Sequence, residues 1–157
     1  MDGLSLSLLG AAIAVMLAGF GSVIGVALAG QASTAVIGED PQKFGKVILL
    51  TALPGTQGIY GFVIGFLVLL KLQIIGGTPP PITTIQGWYI LFSCLPVALA
   101  GFLSAVHQGK VCAAGVQMTA KRAEESGKAI ILGVFVETYA VLGFLASFLM
   151  TSGVTFG

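Results

Sequence analysis

The chain has 157 residues, 56% hydrophobic and 8% charged, with a formal net charge of +1 and a mean hydropathy of +1.03. Soluble domains carry roughly 25% charged residues, so this composition excludes an ordinary water-soluble domain and implies lipid as the solvent. With a net charge of +1, no strongly basic or acidic balance points to nucleic acid or to an acidic partner.

Taken in chain order, charges fall in short windows and the apolar runs between them read as four transmembrane helices. Met1-Asp2-Gly3-Leu4 lacks the Lys or Arg that precedes the apolar core of a cleavable leader. The first run is therefore expected to remain as a membrane helix, from Leu4 to Ile37, ended by Glu39-Asp40-Pro41-Gln42-Lys43. A second span is expected from Phe44 to Ile75, stopped by Gly76-Gly77-Thr78-Pro79-Pro80-Pro81. A third runs from Ile82 to Thr119, closed by Lys121-Arg122-Ala123-Glu124-Glu125, and a fourth from Ser126 to Met150. Each exceeds the ~20 residues needed to cross the hydrocarbon core. Basic residues crowd the windows between spans one and two and between three and four (Lys43, Lys46, Lys110, Lys121, Arg122, Lys128), against Lys71 alone after span two. The positive-inside rule then places both of those loops in the cytoplasm and both termini outside.

An internal repeat appears at an offset of 82 residues. Gly45-Lys46 aligns with Gly127-Lys128, Thr56 with Thr138, Gly61-Phe62 with Gly143-Phe144, Gly19-Phe20 with Gly101-Phe102 and Ser22 with Ser104. The fold class expected is all-α: one membrane domain, residues 1–157, made of two fused helical hairpins, 1–75 and 82–157. Gly55 stands in the first copy where the second has Glu137. Span one also carries two rows of small residues, Gly21-Gly25-Ala29 and Ala14-Ala18-Ser22. Such rows permit close backbone approach, either within one chain or along a tight ring of identical chains.

Glu137 is the residue with chemistry. Nine residues beyond Lys128, it sits ~13 Å deep by helical rise, near the middle of a core ~30 Å thick. A carboxylate there costs at least a few kcal/mol to insert and must be protonated, paired or bound to a cation. The bland alternative, a carboxylate that merely ties helices together, is achieved more cheaply by small polar residues. Span two places Leu53-Pro54-Gly55-Thr56-Gln57-Gly58-Ile59-Tyr60 at a similar depth. Pro54 loosens the helix and frees carbonyls, tolerated in a membrane where they line a site. Thr56 and Tyr60 share a face, with Gln57 beside them, and Gln108 on span three is expected at matching depth. Oxygens from three helices suit a hard cation such as Na⁺, which must exchange its hydration shell for them; a proton needs the carboxylate alone. His107 lies about 100° around the helix from Gln108 and reads first as packed or interfacial, with ligand or relay as the alternative. Lys110 reads as snorkelling towards the cytoplasm, with an internal polar space as the alternative. Trp88 and Tyr89 read as an interfacial anchor. Cys94 and Cys112 lie in apolar runs and read as small hydrophobes, not as a disulfide. No nucleophile–base pair, phosphate loop, zinc spacing or dinucleotide fingerprint is present, so no catalytic residue is assigned.

These motifs together resemble a known family. Leu53-Pro54-Gly55-Thr56-Gln57-Gly58-Ile59-Tyr60, His107-Gln108-Gly109-Lys110 and Val136-Glu137-Thr138-Tyr139 are similar to the proteolipid rotor subunits of V-type ATPases, above all subunit K of the bacterial sodium-transporting branch. The resemblance spans nearly the whole chain. It implies a non-catalytic subunit in a ring of identical copies, in a bacterial plasma membrane, turned by a peripheral ATPase through a central-stalk subunit at the cytoplasmic loops. It further implies Na⁺ carried on Glu137, with Thr56, Gln57, Gln108 and the Leu53 backbone oxygen completing the shell, and Tyr60 bonding the carboxylate in the closed site. A stator subunit with an arginine would displace the ion. Membrane lipids are the remaining partners, and no cofactor is implied beyond the transported ion. His107 departs from the family pattern, which has a small residue there. H⁺ in place of Na⁺ is the alternative within the family. Outside it stand a small multidrug exporter, whose glutamate belongs in the first span, and a purely structural proteolipid, which would not need the polar cluster around Pro54.

Overall fold

The computed structural model describes residues 1–156, and all regular structure among them is helical. Four helical segments are long and apolar enough to cross a membrane: Gly3–Glu39, Pro41–Lys71, Thr84–Lys121 and Ala123–Gly153. Helix α1 (Gly3–Glu39) starts where Asp2 caps it, Oδ1 accepting the Ser5 N–H at 2.7 Å. It stops at Asp40, before Pro41. The second segment is broken: a 3₁₀ turn (Pro41–Lys43), α2 (Phe44–Ala52), a second 3₁₀ turn (Leu53–Gly55) and α3 (Thr56–Lys71). The break falls at buried Pro54, which has no N–H to continue the ladder. Helix α4 (Thr84–Lys121) opens on a reciprocal capping box between Thr83 and Gln86. After a 3₁₀ turn (Ala123–Glu125), α5 covers Ser126–Gly153.

The second span ends earlier than its hydrophobicity suggests, at Lys71 instead of Ile75. Gln73 adopts φ 55° and Gly76 φ 86°, and the left-handed turn throws Ile74 and Ile75 out of the helix.

The Asp2 cap carries a pH signature. The Ser5 backbone hydrogen bond holds its carboxyl below the ordinary 3.8. A depressed carboxyl contributes stability above its ordinary pKa and loses it as pH falls through the depressed value. Amide exchange at Ser5 is therefore expected to stay slow from neutrality to about pH 3.8 and to quicken only below it. Loss of protection well above that pH would remove the cap from the account.

Packing follows the small residues. A Cβ at Gly3, Gly10, Gly21 or Gly25 would strike Thr83, Leu91, Phe102 or Ala105 in turn, so α1 and α4 run parallel with their backbones in contact. On another side of α1, Gly61 of α3 meets Ala14 and Ala18, and Gly58 meets Ser22. Both small-residue rows thus pack within the chain, the first against α4 and the second against α3. Packing within the chain is the first of the two readings these rows allow; the face of α1 left exposed carries Leu9, Met16, Phe20, Val23 and Ile24. Helix α5 lies antiparallel on α4, with Gly133 near Cys112 and Gly143 near Pro96 and Ala100. Cys94 and Cys112 are buried free thiols.

Two apolar clusters result. One joins Ala11, Ala14, Ile64, Val68, Ile90, Cys94 and Val97, and the other Ala29, Val47, Leu50, Cys112, Val116 and Ala129. Between them lies a layer of buried polar side chains, Ser22, Gln57, Ser104 and Gln108. No buried side-chain nitrogen or oxygen among the described residues lacks a partner. In a membrane such a layer must satisfy itself, because hydrocarbon offers no hydrogen bonds.

Candidate cation site

The site forms where the Leu53–Gly55 turn faces α4 and α5. Thr56 is the first residue of α3, and its N–H and hydroxyl both reach the Leu53 carbonyl, the hydroxyl at 3.0 Å. The same hydroxyl lies 2.7 Å from Glu137 Oε1 and 3.4 Å from Gln57 Oε1. Four oxygens therefore converge from two membrane spans, with one hydroxyl proton among them. Tyr60, one turn further along α3, donates its O–H to Glu137 Oε1 at 2.6 Å, and its ring leans on Phe144 at 5.6 Å between centroids. Gln108 Nε2 donates to Glu137 Oε2 at 3.3 Å and to the Gly133 carbonyl at 3.1 Å. Gln57 Nε2 donates to Gln108 Oε1 at 2.5 Å.

The structure thus brings Thr56, Gln57, Tyr60, Gln108 and Glu137 together, and the Leu53 carbonyl with them. It differs in which atom Gln108 presents. The sequence reading counts its oxygen towards the cation; here that oxygen faces the Gln57 NH₂, and the Gln108 NH₂ faces the carboxylate. The reason is pairing: with Gln57 Oε1 turned to Thr56, its Nε2 needs an acceptor, and Gln108 Oε1 is the one at hand.

Electrostatics sharpen the picture. A carboxylate accepts only, and three donors (Thr56, Tyr60, Gln108) surround this one. The ion pairs among the described residues are Asp40–Lys43 and Glu125–Lys128, both at the turns between spans. Glu137 has no cationic side chain as partner. Hydrogen bonds spread its charge, but none cancels it. A small cation would cancel it and would meet the Thr56, Gln57 and Leu53 oxygens at the same point. The donor set is all oxygen, which suits a hard ion. On its open side Glu137 borders an apolar groove of about 290 Å³ lined by Val134, Thr138, Val141 and Leu142.

His107 takes no part. It is exposed, and a ring nitrogen lies 2.8 Å from the Leu103 carbonyl on its own helix. Lys110, Trp88 and Tyr89 are exposed on α4 as well. Two serines escaped the sequence reading of the site. Ser22 accepts the Gly58 N–H at 2.8 Å, capping the start of α3 from another helix. Ser104 donates to the Val136 carbonyl at 2.8 Å. The available signal was the repeat itself, which keeps a hydroxyl at this position in both copies.

Comparison with known proteins gives the family. The family model for the ATP synthase C subunit matches residues 9–68 and again 91–150. The chain belongs to the ATP synthase C subunit family. The two matches begin 82 residues apart (9 and 91), each covering most of one hairpin. Among similar proteins of this family, V-type sodium ATPase subunit K of Enterococcus hirae is 43% identical over 94% of this chain and 91% of its own length. A-type ATP synthase subunit K of Methanocaldococcus jannaschii is 38% identical over 98% of this chain and 65% of its own length. The 16 kDa proteolipid of the V-type proton ATPase of Nephrops norvegicus is 30% identical over 91% of this chain and 88% of its own length. The chain is accordingly a proteolipid of the V-type branch and an integral membrane protein.

Proposed function

We propose that this proteolipid is the rotor-ring subunit of a V-type ATPase and carries Na⁺ across the membrane on Glu137. The observation that carries the reading is the convergence of Glu137 Oε1, Thr56 Oγ1, Gln57 Oε1 and the Leu53 carbonyl on a single proton. A proton carrier has no use for the last three. The greater identity to the sodium relative than to the proton relative supports the same choice.

Each of the chain's own residues has a part. Glu137 holds the ion by charge, and Thr56, Gln57 and Leu53 replace its water. Gln108 steadies the carboxylate from its other oxygen, Nε2 donating to Glu137 Oε2 at 3.3 Å. Tyr60 latches Glu137 inward. For release the side chain must leave Thr56 and Tyr60 and turn to the groove of Val134, Thr138, Val141 and Leu142, where a stator arginine would neutralise it. The proteolipid itself is not catalytic; ATP is hydrolysed elsewhere in the complex, and a central-stalk subunit would grip the loops at Pro41–Lys43 and Ala123–Glu125. Those loops face the cytoplasm of a bacterial cell on the positive-inside rule, with both termini outside. We read residues 1–75 and 82–157 as a duplicated hairpin that lost one carboxylate at Gly55. Each four-helix copy then carries one ion, a gearing that favours pumping against a steep gradient.

A carbodiimide attacks protonated, accessible carboxyls, so labelling is expected at Glu137 and is expected to be suppressed by sodium at fixed pH. Labelling that sodium leaves untouched would shift the reading to protons. Gln57→Leu removes one oxygen and one amide from the shell, and the sodium concentration for half-maximal ATP-driven transport is expected to rise about tenfold, the scale of one buried hydrogen-bonding group. An unchanged sodium requirement would take Gln57 out of the shell.

A further inference from the structure

Ser104 lies on α4, one turn before Gln108, and is only 6% exposed. Its hydroxyl proton goes to the Val136 carbonyl at 2.8 Å, the peptide immediately before Glu137. A serine hydroxyl has one proton and two lone pairs, so with that proton engaged Ser104 can only accept from its other side. Gln57 faces it there, Nε2 at 3.4 Å. Gln57 is fully buried, and its remaining amide hydrogen goes to Gln108 Oε1. Turning the Gln57 amide over would set its oxygen against two acceptors, Ser104 Oγ and Gln108 Oε1. An unpaired buried polar group costs on the order of 1–3 kcal/mol, so the polarity is held: Gln57 NH₂ towards Ser104 and Gln108, Gln57 oxygen towards the Thr56 hydroxyl.

From this geometry we infer that Ser104 is a positioning residue, which fixes the Gln57 amide so that its oxygen stays in the cation site and thereby sets sodium affinity. The inference rests on the sodium-carrier reading. Ser104 acts together with Gln108 Oε1, so that the Gln57 NH₂ is held by two acceptors on α4. The brace also ties three helices at one point: α3 through Gln57, α4 through Ser104 itself and α5 through Val136. A group of the same size without an acceptor would leave the helices packed and remove one of the two acceptors that set the direction of the amide.

The test uses the intact ATPase complex, with carbodiimide labelling of Glu137 titrated by sodium at fixed pH. Ser104→Ala is expected to raise the half-protecting sodium concentration on the order of tenfold, the scale of one buried hydrogen bond, while labelling without sodium proceeds at the wild-type rate. Ser104→Thr, which keeps the hydroxyl, is expected to stay within about twofold of wild type. A purely structural role would alter ring yield or the sodium-free rate and leave the half-protecting concentration in place; an assembled Ser104→Ala ring with that result overturns the inference. If the alanine ring fails to assemble, Ser104→Cys decides, its thiol being a weaker acceptor of similar size: a raised half-protecting concentration supports the brace, and an unmoved one rejects it. A wild-type complex that sodium does not protect at all removes the sodium reading and this inference with it, whereas a protected wild type with unmoved variants removes the inference alone.

Discussion

Glu137→Gln is expected to bring ATP-driven sodium transport to background while leaving the ring assembled. The amide keeps the shape and can still meet Thr56, Tyr60 and Gln108, so packing is preserved. What disappears is the full negative charge. A unit charge pair at ~4 Å is worth about 4 kcal/mol at an effective dielectric of ~20, which is a fall in sodium affinity of about a thousandfold. The measurements are sodium uptake into vesicles driven by ATP and, separately, recovery of the ring from detergent. Transport retained at even a tenth of wild type would mean that the charge is carried elsewhere; loss of the ring together with transport would make Glu137 a structural tie.

Gly109→Val is expected to have the largest effect on the fold. A Cβ at Gly109 would meet the backbone of Gly25, and one at Gly25 the carbonyl of Ala105, so α1 and α4 touch main chain to main chain at this level. No flexible side chain is available to yield. The parallel pair must move apart, and overpacking of this kind costs about 3 kcal/mol, roughly a hundredfold in the folded population. The separation also reaches the site, because Gln108 is the neighbouring residue and its NH₂ bonds Glu137. Thermal unfolding of the purified protein in detergent is expected to fall sharply for Gly109→Val. Gly38→Ala serves as control: an added Cβ there meets nothing within 4 Å, and stability is expected to hold or rise slightly through helix propensity. Equal stability of the two variants would show that backbone contact between α1 and α4 is not what holds the hairpins together.

Much of this architecture is legible in the residues because lipid is an unforgiving solvent. Charges are cheap only near the ends of spans, so their positions mark four helices, and the one acidic residue deep within a span, Glu137, marks the chemistry. Pro54 announces the break that exposes the Leu53 carbonyl, since it has no proton to give. Thr56, Gln57 and Tyr60 then follow within about two turns. Other features depend on contacts across space that local sequence does not encode. Helix α3 stops at Lys71 because Gln73 turns left-handed, although Ile74 and Ile75 are apolar enough to continue. The rows Ala14-Ala18-Ser22 and Gly21-Gly25-Ala29 declare close packing but not the partner, and both partners prove to be helices of the same chain. The direction of the Gln108 amide is hidden for a similar reason: its two ends differ by one atom type, and Gln57, on another helix, decides between them. Ser22 and Ser104 look like small packing residues in span one and span three, and only their distances to Gly58 and Val136 distinguish them.

The most direct measurement is equilibrium binding of radioactive sodium to the purified ring. Saturable binding of one ion per chain, abolished by Glu137→Gln and weakened by Gln57→Leu, is the predicted result. Absence of saturable binding, or binding that survives the loss of the Glu137 charge, would contradict the account.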